Sequence, residues 1–165
     1  MEIETHWNQI RRLANSSLKS SLHCAIATVD DKGLPHNTPI GSLILNKDCT
    51  GFYFERFTAG MPKRFLSNKN VSVLMVNSGL GFWMKSLIKG HFETPLAVRL
   101  IGEVGEPREA TDLEISRWHK RVKALSWTKG HNLLWKEMSY VRDIKFTGME
   151  KVITGEMTRG HWHQK

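Results

Sequence analysis

The chain has 165 residues, 40% hydrophobic and 24% charged, the balance of one folded domain with a real core. Lysine and arginine number 24 against 16 acidic residues, a formal net charge of +8, yet the cations are scattered and no helix-turn-helix, zinc or RNP signature accompanies them, so nucleic acid is not the expected partner. No apolar run approaches the roughly 20 residues that span a bilayer, the first residues lack the apolar core of a secretion signal, and Cys24 and Cys49 have no metal-ligand spacing; the expectation is a cytoplasmic protein with reduced cysteines, no membrane contact and no metal.

Residues 4–19, within an N-terminal segment 1–20, read as an opening helix. Trp7, Ile10, Leu13 and Leu18 recur near helical spacing, with Arg11, Arg12 and Lys19 off that face. From Leu22 the period changes. Residues 23–29 form a short apolar strand, Asp30 to Gly33 a hairpin turn, and residues 36–45 a second strand. Pro39 and Gly41 sit inside that strand. Proline donates nothing to a ladder and glycine packs nothing, so the strand should be bulged, at an edge, or closely approached by a ligand.

A third strand covers 52–55. The turn after it carries Thr58 and Gly60, then Met61-Pro62-Lys63-Arg64 opens a short helix near 62–68, and a fourth strand runs from 71 to 77. A hydroxyl, a glycine turn and two adjacent cations between two strands suit a phosphate monoester: Thr58 donates one hydrogen bond, Gly60 lets the backbone come close, and Lys63 and Arg64 neutralise the dianion. Pro62 fits the first turn of that helix. The bland alternative is a pair of solvated helix charges. Glu55, at the end of the third strand, is the most interesting acid of the chain, and a surface ion pair with Arg56 or Arg64 explains it equally well.

Residues 78–95 fit a strand or a short helix equally well, and Trp83 and Lys85 within them are candidates for a pocket wall. Residues 97–104 form a strand. Thr111 and Glu114 make a capping box for a helix that buries Ile115, Trp118, Val122 and Leu125. Trp127 to His131 reads as an irregular loop, and 139–156 as a last strand region. Residues 157–165 are expected to be a mobile tail. Its His161 and His163 lack the third ligand of a metal site. Many short strands with an N-terminal helix and inserted helices predict a mainly β, α+β domain: a small antiparallel barrel decorated by helices.

The order of TPIGSLIL, FYFERFTAGMPKR and NKNVSVLMV, followed by VRLIGEVGEPREATDLEISRW, resembles the FMN-binding split-barrel family typified by pyridoxamine 5′-phosphate oxidase, over roughly residues 20–156. The resemblance implies a split β-barrel and a homodimer with FMN at the subunit interface. It implies that the flavin ring lies along Thr38, Pro39, Ile40 and Gly41. Thr58, Lys63 and Arg64 are implied to clamp the phosphate, Phe57 and Met61 to neighbour the ring or ribityl chain, and Trp127 to cover the flavin from the partner subunit or pack on its own barrel. The second strand offers Asn37 and Thr38 where oxidases of the parent type carry arginine, and Arg142 is the candidate equivalent. The implied function is a flavin-dependent oxidoreductase that needs no side-chain acid or base. The rivals are a deazaflavin F420- or haem-binding relative, and a flavin-sensing or nucleic-acid-binding module without turnover.

Overall fold

The structure, a computed structural model, describes residues 2–58, 60–135 and 137–162. Helix α1 runs from Glu2 to Ser21 and buries Ile3, Trp7, Ile10, Ala14, Ser17 and Leu18, a three-four spacing that keeps one stripe against the sheet. Glu2 and Glu4 lie in its first turn and Lys19 in its last, matching the helix dipole. The Trp7 indole donates to Asn46 O at 2.9 Å, tying the helix to the loop ahead of β4.

Among the described residues seven strands form one sheet in the order β2-β1-β5-β6-β7-β4-β3. These are β1 (Cys24–Val29), β2 (Pro35–Ile40), β3 (Ile44–Leu45), β4 (Thr50–Phe54), β5 (Asn70–Val76), β6 (Ala97–Glu109) and β7 (Tyr140–Lys151), each antiparallel to its neighbours. The sheet is not closed. The predicted strand 36–45 is in fact two: β2 pairs with β1 at one edge of the sheet, and β3 pairs with β4 at the other. Four residues reach at most about 14 Å, so the step from Ile40 to Ile44 draws the two edges together and curls the sheet into a split barrel. Across the split, the Ser42 hydroxyl accepts from Phe54 N at 3.0 Å and donates to Phe54 O at 3.3 Å.

Strand β4 shows how two cores share one sheet. Successive side chains point to opposite faces. Tyr53 enters the main core with Ile26, Val73, Leu100 and Ile144, whereas Phe52 and Phe54 enter a second cluster with Ile44, Trp118, Val122 and Val141. Helix α2 spans Met61–Arg64, shorter than predicted. The undecided segment resolves into helix α3, Leu80–Lys89, ended by Gly90 at φ 71°. Trp83 packs edge-on against Phe92, and Lys85 pairs with Glu93 at 2.6 Å; neither serves the cavity described below.

Helix α4, Asp112–Val122, starts at the predicted capping box: Glu114 N donates to Thr111 Oγ1 at 3.3 Å, and Thr111 N donates to Glu114 Oε2 at 2.9 Å. Leu125 lies beyond the helix in a 3-10 turn and stays partly exposed. The predicted loop after Trp127 is instead helix α5, Lys129–Trp135. The expected mobile tail is packed at least to Trp162, which is buried in the main core with its ring edge-on to His6. His163 and the rest of that segment lie outside the described residues. Among the described residues no group of three metal-ligating side chains gathers, and no helix is long and apolar enough to cross a membrane.

Candidate functional site

The split in the barrel opens into a cavity of about 170 Å³. The β2–β3 link supplies Pro39, Ile40, Gly41 and Ser42; the end of β4 and the turn after it supply Phe54, Arg56 and Phe57; Trp118 comes from α4, Leu134 and Trp135 from α5, and Met138 from the loop before β7. Flat hydrophobic side chains thus face a stretch of irregular backbone. Trp118 packs between Phe54, tilted against it, and Trp135, edge-on to it, with ring centroids at 5.9 and 6.1 Å, which fixes the aromatic wall.

Gly41 has a steric reason for its identity. A Cβ there would meet Leu22 O at 2.8 Å, so any side chain would push the β2–β3 link off the end of α1. Phe57 is the strained residue of the cavity. It holds φ at 59°, a conformation that bulky residues rarely adopt, and its ring is 69% exposed beneath the Arg56 guanidinium at 4.9 Å. Arg56 is held in turn by the carbonyl oxygen of Glu137. Such strain persists where the surroundings enforce it, often at ligand sites.

Of the residues singled out in the sequence, the cavity gathers Pro39, Ile40, Gly41 and Phe57. Thr38 is half-buried on β2 opposite Ile26, off the cavity wall. Thr58 is buried, and its carbonyl accepts from Met61 N at 2.9 Å to close the turn. Met61 is 0% exposed and belongs to the main core; it is not a ring neighbour on this wall, because the left-handed Gly60 (φ 77°) turns it inward. Lys63 is exposed and Arg64 half-buried. Arg64 Nε donates to Thr28 Oγ1 on β1 at 2.7 Å, so the two cations do not meet in the cavity. Trp127 is 84% exposed, and its indole donates to Ala124 O within its own turn.

Two residues take roles the sequence did not reveal. Glu55 makes no surface pair with Arg56 or Arg64. Its carboxylate receives Arg142 Nε at 2.7 Å and Nη2 at 3.0 Å, with the side chains 10% and 5% exposed. Arg142 Nη1 donates to Gly105 O at 2.7 Å, and its guanidinium covers Phe65. Arg142 is therefore spent inside the barrel and is no substrate-phosphate ligand. Burial, reinforced by the Glu55 carboxylate, pushes the pKa of the neighbouring Tyr53 hydroxyl up. Arg56 and Trp135 also line the cavity without having been singled out; an arginine in a turn and a tryptophan before an irregular segment carry no distinguishing local signal.

No family model matches the chain, and no curated protein does. Solved structures do. HupZ from Group A Streptococcus superposes with a TM-score of 0.57 at 18% identity, covering 88% of this chain and 92% of that one. An FMN-binding protein from Syntrophomonas wolfei gives 0.58 at 12% identity, over 92% and 95%. HutZ, the haem storage protein from Vibrio cholerae, gives 0.53 at 13% identity, over 87% and 92%. At these identities the likeness speaks for architecture: the chain has the split-barrel fold of FMN-binding and haem-storage proteins.

Proposed function

We propose that the chain is a flavin-binding oxidoreductase that takes FMN in the cavity at the barrel split. The observation that carries this reading is the meeting of the irregular Pro39–Ser42 backbone with the strained Phe57 and the Trp118–Trp135 wall. That slot is lined by aromatic side chains and irregular backbone and rimmed by one cation, Arg56, which fits an aromatic ring system with a polar tail. FMN when bound would supply the hydride or electron chemistry. The chain's own residues hold and shield it. Pro39 to Ser42 bring backbone against one side of the ring, and Phe54, Trp118 and Trp135 keep water from the other. Lys63 and Arg64, on the helix after Phe57, hold the ester. The Thr28 bond takes one nitrogen of Arg64 and leaves its Nη groups for the phosphate.

One chain offers about 170 Å³, below the roughly 300–1,000 Å³ of small-molecule sites. A second copy completes the site in this reading. The exposed apolar side chains of α5 support it: Leu134, at the cavity wall, is 45% exposed and its neighbour Leu133 72%, and exposed apolar surface of this kind marks interaction surfaces. Haem is not favoured, because among the described residues the cavity wall carries no histidine, cysteine or tyrosine to serve as an axial ligand.

Titration of the purified protein with FMN and with riboflavin, followed by flavin fluorescence, tests the reading. FMN should saturate at micromolar concentration. Lys63→Ala combined with Arg64→Ala should weaken FMN at least tenfold and riboflavin little. Equal losses for both ligands would remove the clamp, and no binding of either would end the proposal.

A further inference from the structure

A second cavity, of about 220 Å³, lies between α1, β3 and α4. Its floor is apolar, and four cations close on it: Arg11 from α1, and Arg117, Lys120 and Arg121 from α4. Helical spacing gathers the last three, since positions i, i+3 and i+4 share a face. Arg11 approaches from the other wall. Among the described residues no carboxylate lies within ion-pair distance of any of the four, whereas Arg99 and Arg142 each meet one and Arg108 meets two.

Two of the forks are held in place by neutral partners. Arg117 Nη1 donates to Asn46 Oδ1 at 2.8 Å, and its guanidinium lies 5.4 Å from the Phe52 ring centroid. Arg121 Nη1 donates to Leu43 O. Each keeps further N–H groups for a ligand. The crowding leaves its mark: packing around the Arg121 guanidinium, helped by the charge of Arg117, lowers its pKa to about 10. Like charges held together with no acid between them repel, and a bound anion relieves that repulsion.

We propose that this cavity is an anion site for a small, multiply charged phosphate compound, a phosphate monoester or diphosphate, separate from the flavin cavity. Planar guanidinium forks match phosphate oxygens two at a time, which a halide or a single carboxylate does not exploit as fully. The cations converge into a concavity instead of lining an extended track, which distinguishes the site from a nucleic-acid face. The apolar floor accepts the carbon portion of the ligand. This inference does not depend on flavin binding.

Isothermal titration with sodium pyrophosphate, at ionic strength held near physiological with chloride, tests it. One site per chain is expected, with orthophosphate weaker. The side chains of Arg11 and Lys120 make no hydrogen bond within the described residues, so Arg11→Gln combined with Lys120→Gln leaves the fold intact, as an unchanged melting temperature would verify. This double variant should bind pyrophosphate at least tenfold more weakly while keeping wild-type FMN affinity. Unchanged pyrophosphate affinity in the variant, or no saturation of the native protein at millimolar pyrophosphate, overturns the site. Binding of a single-stranded oligonucleotide without pyrophosphate binding also overturns it. Displacement of pyrophosphate by FMN makes the two sites one, which overturns this inference and leaves the flavin reading standing. Pyrophosphate binding without any flavin binding does the reverse.

Discussion

Arg142 and Arg121 stand on opposite sides of the same curled sheet's economy of charge. Arg142 is enclosed, and every direction of its guanidinium is answered: Glu55 on two nitrogens, Gly105 O on the third, Phe65 across its face. Arg121 is open to solvent on one side, sees a single carbonyl, and shares its cavity with three other cations. The first arrangement is complete without a ligand. The second is not, and the difference separates a charge that holds a fold together from charges arranged for something else.

The comparison is most easily broken at the enclosed pair. Arg142→Leu leaves Glu55 without a partner in the barrel interior and should cost about 3–5 kcal/mol, the usual range for stranding one member of a buried pair. A urea unfolding curve with a much lower midpoint is the expected result, with Glu55→Leu combined with Arg142→Leu recovering a large part of the loss. A shift under about 1 kcal/mol for the single variant would mean that the pair is not what secures this part of the barrel.

Acid probes a second, half-exposed arginine cluster. Arg108 Nη2 meets Glu114 at 2.7 Å and Arg108 Nε meets Asp143 at 2.6 Å, and this arginine holds the Glu114 carboxyl down to about 2. A free glutamate titrates near ~4.3. The unfolded chain therefore takes up the proton first, so the pair's contribution is complete above about pH 5 and disappears as pH falls toward about 2. Arg108→Met should flatten that part of the stability profile. A wild-type profile in the variant would discredit the pairing.

Smaller still is the cap of α4. Thr111→Ala should lower stability by ~1 kcal/mol, measured by the same unfolding curve. The smallest effect belongs to the open cavity, and it sharpens the contrast. Lys120→Gln should change stability by no more than ~0.5 kcal/mol, with relief of repulsion offsetting any lost packing. A clear loss would show that the cations there support the fold after all.

The parts of the fold that were legible in the sequence are the ones decided by near neighbours. The stripe of α1 is one, and the reciprocal Thr111–Glu114 cap is another. Pro39 and Gly41 announced an irregular edge, and the structure places the barrel split there. The same residues misled about continuity. Residues 36–45 look like one strand because nothing local says that the two halves pair at opposite ends of the sheet. Met61 was placed beside the ring because it adjoins Phe57 and Lys63 in the chain, whereas the left-handed turn at Gly60 sends it into the main core.

By itself the sequence determined the first helix, the capped α4, the turns and most strand positions, because period, capping and turn chemistry act over a few residues; the split barrel came from the family resemblance, and α3 and α5 showed themselves only in the structure. Tertiary structure alone decided which charges are answered. Glu55 finds Arg142 across 87 positions, and Arg11 faces Arg117 and Arg121 from a different helix. Coulomb attraction and desolvation depend on distance through space and on burial, and neither is set until the sheet has curled and both helices have docked.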